Sequence, residues 1–482
     1  MCSGQVSLGF ELAMLAMEAT VRQRSVVWQS GVVVNIVVIG GGIAGLVAAR
    51  ELAGSGHDVL LLEGSDRLGG KLRLEAVGGI TVDVGAEAML NRRPEAIGLA
   101  RDLGLDLIHP GTLSSRLWTR DALRPLPRSV MGIPADLEQL VRTGVLSDAG
   151  IARLREEKVL PAPDEDISVA QFVGERLGRE VVDRLVEPLL GGVYAGHATE
   201  LSTRATIPQV VALLDRSPSL LEAASAVPAP SDVPVFAGLA GGVGQLPQVL
   251  ADQASFAIRT GAMVRELRRT SSAGFELVVG PTAAPEVISA DRVVLALPAS
   301  PASRLLGDLT PVAAHELSGI EHASMAIVTM AFRAQDVDHL EGTGFLVPPL
   351  DGRRIKAATF SFNKWGWVRE AGEDLRLLRT SLGRHREEAA LQFPDEELVE
   401  QSLADLHTAT GIAARPVDWH VQRWGGGLPQ YAVGHLDRVA RIRASVASVP
   451  GLAVCGAAYD GIGIPAVIAS AMRAVADLTA QP

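Results

Sequence analysis

Val37–Glu63 reads VVIGGGIAGLVAARELAGSGHDVLLLE, and this stretch decides the fold. Ile36–Ile39 form an apolar run that ends in Gly40, Gly41 and Gly42, and a helical pattern opens at Ile43 and closes near Gly54. His57–Leu62 then reads as a second buried strand ending in Glu63. Strand, tight turn, helix and strand make the βαβ unit that binds the ADP half of a dinucleotide, with Gly40, Gly42 and Gly45 at the G-x-G-x-x-G positions. Gly40 permits the turn, Gly42 lets backbone N–H groups approach a pyrophosphate, and Gly45 allows close packing of helix on strand. Gly41, Ile43 and Ala44 complete a helix N-terminus whose free N–H groups and partial positive charge favour an anion. Glu63 stands about twenty residues beyond the glycines, where a carboxylate accepts hydrogen bonds from ribose hydroxyls and repels a ribose phosphate, so NADP is disfavoured.

The 482 residues leave room for two or three domains, and 48% hydrophobic against 21% charged residues indicate a globular chain. A net charge of −11 argues against nucleic acid as a partner, because phosphate binding needs a basic surface. Only Cys2 and Cys455 exist, which excludes a disulfide framework and a cysteine metal cluster and suits a reducing cytoplasm. The histidines show no metal-binding spacing, so no metal is expected. Residues 1–31 look like a non-native or disordered extension: the apolar run Val6–Met17 contains Glu11 and lacks a preceding Lys or Arg, unlike a secretory signal. Val32–Ala49 is apolar enough to suggest a membrane span, but the three adjacent glycines and Asn35 break it where the turn is needed. Peripheral contact with the inner face of a membrane stays open.

After Glu63 and Gly64 the chain continues SDRLGGKLR, with Arg67, Gly69, Gly70 and Lys71, and then reaches the turn Asp83-Val84-Gly85-Ala86-Glu87-Ala88. The spacing Glu63, Arg67, Gly69, Gly70 resembles the E-x-x-x-R-x-G-G segment of two-dinucleotide-binding-domain flavoproteins of the amine oxidase type. Further signatures of that group follow: the glycine turn Gly241–Gly244, a strand around Val264, the strand Asp291–Ser300, and the closing GLAVCGAAYDGIGIPAVIASAMRA with Gly456, Gly461, Ile462 and Gly463. The resemblance narrows to the protoporphyrinogen and coproporphyrinogen oxidases at Phe172, Arg176, Gly178 and Glu180, and at Glu187–Gly196. It continues at Trp424, Pro429, Tyr431, Gly434 and His435. It implies an α/β fold of the Rossmann-like two-dinucleotide-binding-domain type, with a discontinuous FAD-binding domain (32–95, 233–300, 441–482), a mainly helical insertion (96–232) and an α+β substrate-binding domain (301–440).

The same resemblance implies non-covalent FAD held by the glycines above together with Ile43, Ala44, Glu63, Arg67, Lys71, Ala86, Glu87, Ala88, Val264 and Ile462, with Trp424 packed near the flavin. Its substrate is a porphyrinogen, oxidised through FAD with molecular oxygen in porphyrin and haem biosynthesis. The flavin performs the chemistry, so no residue is assigned as catalytic; for His435 a structural role is preferred. The extra propionates of coproporphyrinogen ask for more basic partners than protoporphyrinogen does. Lys71, Arg92 and Arg93 are the candidates beside the flavin turn, and Arg354 and Lys356 lie in the locally basic run Arg353–Lys364, which reads equally well as a solvated strand face. Plant and animal members carry an arginine where Glu87 stands. The Gly69-Gly70-Lys71 turn looks more like the Gram-positive branch, so coproporphyrinogen III is preferred. Alternatives are protoporphyrinogen oxidation, an amine oxidase or carotenoid desaturase, and a non-enzymatic tetrapyrrole carrier. Handover of product to a downstream haem-pathway enzyme is a further expectation.

Overall fold

A computed structural model describes residues 33–111, 114–228 and 233–481; the reading of residues 1–31 as an extension lies outside them. Five parallel strands run in the order Ala257–Arg259, Asp58–Leu62, Asn35–Ile39, Arg292–Leu295, Leu452–Val454. Ile36–Val38, Leu61 and Leu62 are fully buried, as continuous apolar runs in a parallel sheet covered on both faces should be. The register pairs Ile39 with Leu62 and Leu295, and Leu295 with Val454. These strands therefore end together, and the turns at Gly40, Glu63, Ala296 and Cys455 share the carboxyl edge where open α/β sheets bind ligands. Helices Ile43–Gly54 and Ile464–Thr479 pack against each other behind that edge.

A seven-stranded sheet follows the order Asp418–Pro429, His322–Arg333, Leu375–Leu382, Ile355–Phe360, Gly344–Leu346, Arg116–Thr119, Ala122–Pro125. Its alternation separates two faces. Val328, Met330, Leu378 and Phe360 enter the core beneath helix Asp395–Thr410, whereas Ala331 and Leu377 pack with Val77, Val82 and Trp365. The last two strands of this order come from the segment 96–232, which shows few strand signals in sequence; short β-branch-poor strands paired at a sheet edge leave little local trace.

The helical part of that segment starts its helices with side-chain caps: Asp136, Ser147, Ser168, Ser202 and Ser219 each accept a backbone N–H of the first turn. The run expected from Ser168 breaks at Gly178, where φ is +101°, into Val169–Leu177 and a further stretch that ends at Tyr194. Arg176 lies over the Phe172 ring at 4.3 Å and donates to Phe172 O, while Glu180 accepts from Ser147 and Arg184. The residues of this motif thus bind one another and the neighbouring helix.

Candidate functional site

The three motif glycines differ in what a side chain would meet. At Gly40 (φ +109°) a Cβ would lie 2.4 Å from Ala296 O, and at Gly45 it would lie 1.8 Å from Gly40 O. At Gly42 nothing lies within 4 Å. The first two glycines satisfy packing within the protein, whereas the third leaves an open cradle at the start of helix Ile43–Gly54. No side chain caps that helix and no acid occupies its first turn, so its N–H groups face the cradle unneutralised. Glu63 is fixed beside it: Oε2 accepts from Gly41 N at 2.7 Å, and Oε1 accepts from Ser65 N and Ser65 Oγ at 2.8 Å. A Cβ at Gly64 would meet Met263 Cε at 2.8 Å, and Ala262 N donates to Glu63 O at 2.8 Å, which draws the segment leading to Val264 against the same turn.

A second layer follows. Gly69 N donates to Gly41 O at 2.8 Å. Arg67 folds back onto its own loop, donating to Leu68 O at 3.2 Å and Gly70 O at 2.8 Å, with its guanidinium 6.0 Å from the Trp424 ring centre. Trp424 Nε1 donates to Val84 O at 3.2 Å, and at Gly85 a Cβ would sit 3.0 Å from the Trp424 ring and 2.2 Å from Lys71 O. The glycine at 85 is therefore what allows three segments to stack. Glu87 does not point to open space but pairs with Lys364 at 2.5 Å and Arg379 at 3.3 Å. Burial alone would raise its carboxyl; Arg379 and Lys364 outweigh that and hold it at about 2. Arg379 also donates to Asp83 O and Gly85 O, and the Asp83 carboxylate accepts from Val243 N at 3.0 Å and Gly244 N at 2.8 Å. The loop from Asp83 to Ala88 is thereby bolted to the seven-stranded sheet and to the Gly241–Gly244 turn.

The closing loop is held from below. Gly456 N donates to Ser470 Oγ at 3.1 Å, and Tyr431 Oη accepts from Gly461 N at 2.7 Å while donating to Ala457 O at 2.6 Å. Ile462 packs against the core of the helical segment. Gly463 then opens helix Ile464–Thr479, again with no capping side chain and no acid in the first turn. Two uncapped helix N-termini, a carboxylate at the ribose position and a glycine without internal need at the cradle fit an extended dinucleotide with a second, flavin-like polar end.

The basic candidates separate. Lys71 is half-buried, has no carboxylate at ion-pair distance among the described residues, and is pulled down to about 8 by desolvation. Arg93 is taken up by Glu95, with Nε at 3.0 Å from Oε2, and Arg92 is exposed. The side chain of Arg354 is exposed, and its backbone N–H is bound by Asp405 of the outer helix at 2.8 Å, so it is not brought to the flavin loops. Lys364 serves Glu87, and Arg353 lies over Trp118 at 4.5 Å. Of the basic run Arg353–Lys364, Lys356 alone is buried without an acidic partner among the described residues. Sequence reading missed Asp83, Lys364, Arg379 and Tyr431 as anchors. The alternation in Leu375–Leu382 is the signal that places Arg379 on one face with Leu377 and Ser381.

Residues 43–479 match the family described as flavin containing amine oxidoreductase. The chain is 40% identical to the coproporphyrinogen III oxidase of Mycobacterium leprae, over 92% of this chain and 98% of that protein. It is 32% identical to the coproporphyrinogen III oxidase of Bacillus subtilis, over 92% and 97%. A solved protein from Exiguobacterium sp. 255-15 shares 32% identity with a TM-score of 0.83, covering 92% of this chain and 98% of that one. The cyclohexylamine oxidase of Brevibacterium oxydans shares the fold at 18% identity and a TM-score of 0.70, covering 93% and 100%.

Proposed function

The chain belongs to the flavin-containing amine oxidoreductases, in the coproporphyrinogen III and protoporphyrinogen oxidase family, and on that premise we propose that it oxidises coproporphyrinogen III to coproporphyrin III in porphyrin biosynthesis. Its cofactor is FAD. When bound, FAD would supply the two-electron acceptor for the hydride of a saturated bridge carbon, in three rounds, with oxygen as the final acceptor and hydrogen peroxide as its product.

The chain's own residues bind and orient. Gly40–Gly45 and the N–H groups of helix Ile43–Gly54 would hold the pyrophosphate, Glu63 the adenosine ribose, and Gly461–Gly463 with helix Ile464–Thr479 the polar end of the flavin. Arg67 and the Glu87–Arg379 pair position the loops around it, and Trp424 packs between Arg67 and Gly85. The FAD is proposed to be non-covalent: Cys455, beside Gly456, is fully buried and its thiol is pushed up to about 12, so it supplies no thiolate for attachment.

The observation that carries the substrate is Lys71, a half-buried ammonium that has no carboxylate partner among the described residues and stands directly behind the Gly69–Gly70 turn. A substrate carboxylate is the partner it lacks. Incubation of flavin-loaded protein with coproporphyrinogen III and oxygen should develop porphyrin fluorescence. Absence of fluorescence from fully flavin-loaded protein defeats this reading, and faster turnover of protoporphyrinogen IX would transfer it to that substrate. The cytoplasm as location, membrane contact and product handover belong to the same proposal, and vesicle flotation tests the second. Among the described residues no helix is long and apolar enough to cross a membrane.

A further inference from the structure

We propose that Lys356 and Arg384 form a buried receptor for one carboxylate of the tetrapyrrole, distinct from Lys71; this rests on the functional reading above. Both side chains are almost sealed from solvent, at 3% and 5% exposure. Lys356 lies at a bulge between Ile355 and Ala357, and among the described residues its Nζ reaches only Leu382 O, at 3.5 Å. Arg384 Nη2 donates to Val347 O at 3.2 Å, its Nη1 stands 4.0 Å from the half-exposed Glu387, and its Nε has no partner. Val347 N in turn donates to Lys356 O at 2.9 Å, so the two cations converge on the same pair of strands.

Two buried cations that share one loose ion pair, Arg384 with the half-exposed Glu387 at 4.0 Å, are under-compensated and therefore costly. Burial, then Arg384 and Arg379, pull the Lys356 ammonium down to about 7. The charged groups that act on Lys356 are Arg379 from the same sheet and Arg384 from the following turn, and those that act on Arg384 are Glu387 from that turn and Glu187 from the helical segment. Of these acids, Glu187 is already committed to Ala198 N at 2.8 Å and His197 Nδ1 at 3.1 Å. An anion completes the arrangement, and its position selects which anion. Arg379, which shares the field of Lys356, binds Gly85 O of the flavin loop. The neighbouring sheet positions Ala357, Thr359 and Ser381, on the same face as Arg379, are only partly buried, whereas Ala358, Phe360 and Leu378 on the other face are core. The cations therefore sit at the end of the sheet surface that looks toward the flavin loops. Helix Glu187–Tyr194 closes the far side, with His385 N donating to Ala195 O at 2.7 Å.

The test is equilibrium binding of coproporphyrin III to the FAD-loaded enzyme, followed by porphyrin fluorescence. Lys356→Met and Arg384→Gln should each weaken binding about tenfold or more, Lys356→Arg should restore it, and the tetramethyl ester of coproporphyrin should bind all four proteins alike. Because a bound carboxylate favours the charged ammonium, wild-type binding should weaken by up to about tenfold per pH unit between about pH 7 and about pH 8, with proton uptake, and Lys356→Met should lose that slope and keep only the later weakening that Lys71 brings above about pH 8. Unchanged affinity in both truncated variants, while the wild type oxidises coproporphyrinogen, overturns this proposal and leaves the function standing. A wild type that neither oxidises coproporphyrinogen nor binds coproporphyrin overturns the functional reading itself. Should the truncated variants fail to fold, the wild-type titration decides, and affinity that is flat from about pH 6 to about pH 8 without proton uptake overturns the proposal.

Discussion

The ring of Tyr431 stacks on the imidazole of His435, with centroids 3.8 Å apart and 14° between planes. His435 Nε2 lies 3.3 Å from Tyr459 O, and burial lowers its pKa to about 4, so it is a neutral packing partner near neutral pH. The stack fixes the Tyr431 hydroxyl between Ala457 O and Gly461 N, and through it the loop that leads into helix Ile464–Thr479.

Tyr431→Phe should therefore weaken FAD binding while leaving the fold in place. It strands the Gly461 N–H beneath the loop, a loss of about 1–3 kcal/mol. A flavin titration of apoprotein should show the Kd rising by about tenfold or more; an unchanged Kd would mean that the loop is held without this hydroxyl.

Gly42→Ala and Gly45→Ala should fail in different ways. Gly42 has φ −72° and open space around its Cβ position, so alanine there should leave the apoprotein's Tm unchanged and abolish flavin retention. Gly45→Ala drives a methyl to within 1.8 Å of Gly40 O and should lower stability by several kcal/mol, roughly as other overpacked sites do. Equal loss of Tm in both variants would show that Gly42 is needed for packing and not for a ligand.

The Glu87 carboxyl, held at about 2 against the ordinary glutamate value of 4.5, contributes stability that is present above about pH 4.5 and lost as pH falls toward 2. Integrated over that window the effect is on the order of 3 kcal/mol. Glu87→Gln should remove this acid limb and destabilise the protein at pH 7 by about 3–5 kcal/mol, since Lys364 and Arg379 lose their partner. Urea unfolding at graded pH measures both; an identical acid limb in the variant would refute the assignment.

Lys71 titrates in the opposite sense. Desolvation lowers it to about 8, so above that pH the free enzyme offers a neutral amine to a substrate carboxylate. KM for coproporphyrinogen III should rise through about pH 8 in the wild type, and Lys71→Met should raise KM about tenfold at pH 7 with the Kd for FAD unaltered. A pH profile shared by wild type and variant would remove Lys71 from the substrate site.

The nucleotide half of the site was legible because each requirement is local. A glycine turn, a helix without a cap and an acid at the end of the next strand are set by residues within one βαβ unit, so spacing alone reported them. Roles that depend on charge pairing were not legible. Glu87 reads in sequence as a lining residue beside the flavin; it is instead the acid that Lys364 and Arg379 clamp, from almost three hundred residues away. Likewise Arg353, Arg354, Lys356 and Lys364 look like one basic run, but the sheet sends them to Trp118, to the surface beside Asp405, to a sealed interior and to Glu87.

By itself, then, the sequence determined the cofactor fold, because periodicity and glycine spacing encode backbone geometry over short distances. The tertiary structure alone decided which cations remain without a counter-charge, because desolvation and pairing depend on neighbours brought together from distant segments. Lys71 and Lys356 emerge from that selection, and Gly42 emerges from its counterpart, as the one motif glycine whose Cβ position the protein leaves open.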